Sequence, residues 1–224
     1  MNPNKTDSEA YFEAFCQRNG FALLPVPVGA DKTPDYTLTV GDTLIVVEVK
    51  EVQPTPDELE SERLVAERGY GKAISRTAGK QVRKKIADCG PQLRTRTQGE
   101  HPGLLVLWER GRCAGLHTEP YHIGVAMEGF EQMVLTVPPI GSGESPSVVG
   151  LKHGGRRRIT DTANTSISAV ALLCVPGPDR MLLQVFHNRH AAVPLDHALL
   201  KSPEVAHFVV RIQPPHRTDW IEIA

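Results

Sequence analysis

The sequence has no closely spaced cysteines, no long apolar run and almost no net charge, and each absence removes a class of protein. Its four cysteines, Cys16, Cys89, Cys113 and Cys174, are scattered and form no Cys-x-x-Cys pair. Neither a disulfide framework nor a cysteine-built zinc site is expected, and the thiols read as reduced and mostly buried. The longest uninterrupted aliphatic stretch, AVALLCV, is far shorter than the ~20 apolar residues of a membrane-spanning helix. The start of the chain, MNPNKTDSEAYFEAF, lacks the apolar segment of a secretory signal, so a cytoplasmic protein with no membrane partner is expected. A formal net charge of −1 gives no overall bias toward acidic partners, and no internal repeat is visible.

What is present, 40% apolar and 23% charged residues over 224 positions, suits one large globular domain or a core with a small extension. The charge is unevenly spread. Between Arg63 and Arg96 there are ten Lys or Arg residues against two acids, Glu67 and Asp88. Such a run can face a polyanion, although a solvated helix face is the commoner origin.

Thr6 followed by Glu9 is a capping-box pattern, and Tyr11, Phe12, Phe15 and Cys16 then form a helical stripe that Gly20 can close. A helix over about 7–18 follows. FALLPVPV reads as a short edge strand limited by proline. Tyr36 to Val40 alternates and meets Gly41-Asp42 before TLIVVEVK, which predicts a hairpin. Residues 53–72 are rich in Pro and Glu and read as a loop with a short helix. Ile74, Ala78, Val82 and Ile86 recur every four residues, the stripe of a second, basic helix that Gly90-Pro91 should end or kink. Beyond the buried strand GLLVLWE, a segment near 119–128, a strand near 132–137, a loop over 138–147 and the strands SAVALLCV and MLLQVFH complete an α/β layer pattern.

Charges stand out at one point. Along TLIVVEVK, Leu44, Val46, Glu48 and Lys50 share one face, and both faces are apolar up to Val47, as in a strand covered on both sides. Burying a carboxylate and an ammonium there is unfavourable unless each finds a partner. A hairpin over 36–47 returns Asp35 close to Glu48, and the two carboxylates form an oxygen-rich site suited to a divalent cation, with Lys50 pointing to the same pocket.

Pro34-Asp35 followed, after twelve residues, by Glu48-Val49-Lys50 at the end of an apolar strand resembles the PD-(D/E)xK nuclease superfamily. The resemblance implies a restriction-endonuclease-like α/β fold, a mixed central sheet flanked by helices. Its αβββαβ core would span about residues 6–110, with additional strands from 111–224 on the same sheet in a single domain 1–224. It implies hydrolysis of phosphodiester bonds in the presence of Mg²⁺ or Mn²⁺, in DNA rather than RNA, and leaves a homodimer open. Asp35 and Glu48 would then ligate the metal and Lys50 would be the catalytic lysine. Many members add a metal-site glutamate from the first helix. Here Glu9 has a capping role, so Glu13 is assigned. On the basic helix, members place residues that contact phosphates. Lys85 and then Gln81 fall beside the apolar stripe, whereas Arg76 and Arg83 project opposite it; Lys84 joins Lys85 as a candidate nucleic-acid contact. The Gln-x-x-x-Tyr element of one large branch is absent. A catalytically inactive nuclease-fold protein that binds nucleic acid or protein is the alternative, and an unrelated α/β protein with a surface Glu48–Lys50 pair is a third.

Weaker signals read more simply. GYGK (69–72) lacks the spacing of a P-loop and reads as a turn. His187 and His190 have no third metal ligand and read as polar loop residues. Arg156, Arg157 and Arg158 follow Gly154-Gly155 and could touch phosphates or merely lie in a surface loop.

Overall fold

The computed structural model describes residues 5–27, 33–71, 77–110, 117–177, 180–213 and 217–223. Lys72, Ile74, Arg76 and Cys113 lie outside them. The first helix, α1 (Asp7–Arg18), begins at its capping box: the Glu9 carboxylate takes the Thr6 N–H at 2.6 Å, and its stripe buries Phe12, Phe15 and Cys16. Strands β1 (Ala22–Pro25), β2 (Tyr36–Val40) and β3 (Thr43–Val52) follow as an antiparallel meander. The β2–β3 turn uses Gly41 at φ 57°, a left-handed conformation that glycine adopts without a side-chain clash.

Helix α2 (Pro56–Arg68) has 13 residues, more than the short helix expected over 53–72. Its signal was complete in the sequence: Thr55 and Glu58 form a second capping box, Pro56 opens the first turn, and Gly69 ends the helix in the left-handed region. Helix α3 (Lys80–Thr97) continues through the Gly90-Pro91 step, which does not end it. An interior proline costs about 3 kcal/mol. The turn beyond it, however, buries Leu93 completely and largely buries Gln92 and Thr97, and a fully buried leucine alone contributes about 1.5–3 kcal/mol.

Strand β4 (Gly103–Glu109) lies parallel to β3, and α4 (Pro120–Glu128) packs against the start of α3. Strands β5 (Phe130–Thr136) and β6 (Ser147–Gly154) form a separate two-stranded ribbon. The remaining strands, β7 (Ala169–Gly177), β8 (Arg180–His187), β9 (Val205–Gln213) and β10 (Arg217–Ile223), continue the main sheet. Its order is β1-β2-β3-β4-β7-β8-β9-β10, mixed, with β3–β4, β4–β7 and β8–β9 parallel. The sequence reading assigned no element to β6, β9 or β10, whose pairing rather than local pattern makes them strands.

Two cores sandwich this sheet. Phe12 and Phe15 of α1 cover Ile45, Val47, Val49, Leu104 and Val106 on one face. Val82, Ile86, Cys89 and Leu93 of α3, with Ile123 of α4, cover Val46, Leu105 and Leu107 on the other. Alternation along β3 therefore sends Val46, Glu48 and Lys50 toward α3. Among the described residues no helix is long and apolar enough to cross a membrane.

Candidate active site

β3 carries Glu48 into the α3 side of the sheet with no exposed surface. Its Oε1 lies 2.5 Å from the Lys50 Nζ, and the same ammonium lies 3.6 Å from Asp35 Oδ2. The hairpin does bring Asp35 back: its Oδ2 accepts the Val49 N–H at 2.8 Å, between the two charged residues of β3. The Lys50 side chain is 29% exposed and spans the two carboxylates instead of extending into solvent.

Glu48 is held by the Lys50 ammonium and lies against the Asp35 N–H, although among the described residues neither of its oxygens meets strict hydrogen-bond geometry. Glu109 shows the contrast. Also buried, it accepts the N–H groups of His117 and Thr118 and the Thr118 hydroxyl at 2.8 Å, while His117 Nε2 meets Glu58 Oε2 at 2.9 Å. That network is satisfied within itself and ties α2 to the end of β4. Glu48 is not satisfied in this way.

The local field follows from burial. Desolvation raises Glu48 above the usual carboxylate range and the Asp35 charge adds to it, with Lys50 offsetting part. Asp35 is raised by burial, against the Lys50 ammonium and the Val49 N–H. For Lys50, burial favours the neutral amine, but Glu48 and Asp35 outweigh it and hold the ammonium above the ordinary lysine value. Burial places Lys85 below that value, and the Lys50 charge contributes. Lys85 is therefore a neighbour of Lys50, as is Cys89 one turn on, whose thiol is pushed up to about 12 by burial and then by Glu48.

The other assigned residues are placed as follows. Glu13, on the α1 face, accepts a hydrogen bond from Tyr36 Oη at 2.8 Å and pairs with Lys5. Burial alone would raise it, but those two partners hold it below the usual range. The α1 charge that reaches Asp35 is that of Glu9, which remains engaged in its cap. Gln81 is half-buried and Lys84 is exposed, and Lys84 turns to a different flank of α3 from Lys85. Among the described residues no group of three or more His, Cys, Asp or Glu is arranged to hold a metal ion.

Two placements depart from the sequence reading and a third extends it. Arg83, expected opposite the apolar stripe, is only 7% exposed, because α4 and Phe130 cover that side of α3. His187 is a strand residue: its Nε2 lies 2.9 Å from Nδ1 of His207, a partner distant in sequence. Arg156, Arg157 and Arg158 are exposed and join α3 residues around one cleft, a juxtaposition for which only the clustering of cations gave a signal. No protein-family model, no curated protein and no solved structure matches the chain.

Proposed function

We propose that this chain is a metal-dependent nuclease of the PD-(D/E)xK type that hydrolyses phosphodiester bonds in DNA. The observation that carries the reading is Glu48: a fully buried carboxylate beside Asp35, the two sharing the Lys50 ammonium. One ammonium shared between two carboxylates leaves net negative charge in a desolvated pocket, and a divalent cation is the partner that suits it. The order α1-β1-β2-β3-α3-β4, with β4 parallel to β3, supports the reading as well, since it is the αβββαβ order of the restriction-endonuclease-like core with α2 intervening.

Mg²⁺ is commonly held by one or two carboxylates with water filling its other positions, so Asp35 and Glu48 fit Mg²⁺ or Mn²⁺ without a third protein ligand. When bound, the ion supplies a Lewis acid for the phosphodiester and a more acidic water. The chain's own residues do the rest. Lys50, held protonated by both carboxylates, acts as a fixed positive charge aimed at the oxygen on which charge develops, rather than as a base. Lys85, beside it, takes a neighbouring phosphate, and Gln81 precedes it on the same flank. Glu13 steadies the β2 end of the pair through Tyr36, the residue after Asp35.

The test is incubation of the purified protein with supercoiled, linear and single-stranded DNA, and with RNA, in Mg²⁺, Mn²⁺ or chelator. Cleavage is expected only with metal, and Asp35→Ala, Glu48→Ala or Lys50→Ala should each reduce it by about 10²–10³-fold or more. Wild-type-like cleavage by folded Lys50→Ala refutes the assignment. The second reading is a non-catalytic nucleic-acid- or protein-binding module, in which Lys50 alone neutralises the two carboxylates. Calorimetric titration with Mg²⁺ separates the two, since the module would bind no ion at Asp35 and Glu48.

A further inference from the structure

A cleft of about 790 Å³ opens between the first turns of α3 and the loop after β6. Lys80, Arg83 and Lys84 line it from the helix, and Arg156, Arg157 and Arg158 from the loop; no carboxylate lines it among the described residues. The loop is held in place, because the Arg158 N–H donates to the Ala126 carbonyl at 2.9 Å and Asn164 Nδ2 donates to the Arg158 carbonyl at 2.7 Å. Six cations are therefore gathered around one concavity.

Arg83 marks this as more than a solvated basic surface. Its side chain is 7% exposed, its NH1 is buried with no hydrogen-bond acceptor, and no carboxylate pairs with it among the described residues. Its guanidinium carbon lies 5.2 Å from the centre of the Phe130 ring, a weak substitute for an anion. Arginine does not escape by losing its proton, so the free protein carries a buried, uncompensated charge with further guanidinium charges nearby. The start of α3 points the same way. Gly79, at φ 66°, caps the helix without a side chain, and a Cβ there would lie 2.7 Å from the His122 carbonyl and 3.2 Å from Arg83 NH1. The Lys80 N–H donates to the Thr77 carbonyl at 3.1 Å and the Arg83 N–H to the Gly79 carbonyl at 2.8 Å, so what the helix start adds to the cleft is the positive end of its dipole.

We propose that this cleft is a binding site for a phosphomonoester dianion, the group shared by the terminal phosphate of a nucleic-acid strand and by a free phosphorylated small molecule. A phosphomonoester brings nearly two negative charges and three acceptor oxygens, and it can enter a concavity end-on. A phosphodiester within a strand brings one charge and is flanked by sugar on both sides. Arg83 receives the group from the buried wall, Lys80 and Lys84 flank it on the helix, and the loop arginines close around it from the exposed rim. The site is independent of the metal-centre reading. Lys84 lines the cleft whereas Lys85, about 100° around the helix, lies beside Lys50.

The test is calorimetry and thermal unfolding of the full chain in chelator, so that no cleavage intervenes. The probes are inorganic phosphate, pyrophosphate, and one oligonucleotide with either a 5′-phosphate or a 5′-hydroxyl. Saturable phosphate binding with a rise in Tm is expected. An affinity about tenfold or more higher for the phosphorylated oligonucleotide assigns the strand end. A response confined to the two inorganic probes assigns a free ligand. Both support the site. The exposed double variant Arg157→Ser/Arg158→Ser should bind about tenfold more weakly, and Arg83→Met should lose binding while raising the Tm of the phosphate-free protein, which a purely structural arginine would lower. Lys50→Ala should leave phosphate binding unchanged, so a failed nuclease assay does not touch this result. No saturable binding of any phosphate probe, or equal binding by both arginine variants and the wild type, overturns the proposal.

Discussion

Glu48 and Glu109 are both buried glutamates, and they differ in what surrounds them. Glu109 collects donors from His117 and Thr118, while Glu48 depends on the Lys50 ammonium and the Asp35 N–H. Its folded pKa is raised by burial first and the Asp35 charge second, so at neutral pH the folded state carries a penalty the unfolded chain does not. The sign follows directly. Between the ordinary glutamate value and the raised one, the folded state binds more protons, so stability is lost as pH rises through that window and regained as it falls. Glu48→Gln should therefore remove this loss of stability with rising pH between the ordinary carboxylate range and neutrality. Urea unfolding of both proteins across that range checks it. Mg²⁺ at a hundred times its Kd should add about 2.7 kcal/mol to the wild type and nothing to Glu48→Gln. The residue types of this group were legible in Pro34-Asp35 and Glu48-x-Lys50. That Glu9 rather than Glu13 lends its charge to Asp35 was not, because it depends on how α1 is rotated against the sheet.

At the scale of elements, local signals worked where the chain decides alone and failed where packing overrules it. The capping box at Thr6 set the start of α1, and a second at Thr55, with Pro56 and Gly69, defines α2 just as fully. Pro91 read as a stop, yet α3 continues because its last turns bury Leu93 and Gln92 against the sheet. Close approach matters most where β4 begins. The Gly103 N–H donates to Ser168 Oγ at 2.9 Å, its carbonyl accepts the Ser168 N–H at 2.7 Å, and a Cβ at this position would lie 2.2 Å from the Ser166 carbonyl oxygen. That oxygen belongs to backbone and cannot rotate away. Gly103→Ala should cost about 1–3 kcal/mol through forced displacement of the β4–β7 junction, read as a fall in the urea midpoint. An unchanged midpoint would show that the junction gives way freely.

Over the whole molecule, buried Glu48 and half-buried His187 give stability opposite responses to acid. His187 is held down to about 4 by burial, with the charges of His207 and His197 adding to the effect against Asp196 and the Leu195 carbonyl. Between about 4 and the ordinary 6.5 the unfolded chain binds the proton that the folded protein refuses, so stability is lost as pH falls through that window. The loss should be about 1–3 kcal/mol, and it falls on the junction of β8 and β9, where His187 meets His207. Glu48 acts in the opposite sense over an overlapping range. His187→Gln should therefore flatten the acid limb of the stability curve, while Glu48→Gln should steepen it. Denaturant unfolding of the two variants and the wild type from neutral pH to about pH 4 resolves the contributions.

By itself the sequence determined the α/β alternation, the meander that returns Asp35 to β3, and the charge clustering around residues 63–96, because caps, turns and alternation are properties of neighbouring residues. Only the tertiary structure decided that α3 survives Pro91, that β9 and β10 become strands, that Lys84 and Lys85 face different flanks of α3, and that Arg83 lies buried without a carboxylate partner among the described residues. Each of those depends on which surfaces meet across the sheet, and desolvation acts on a group only once distant segments have closed over it.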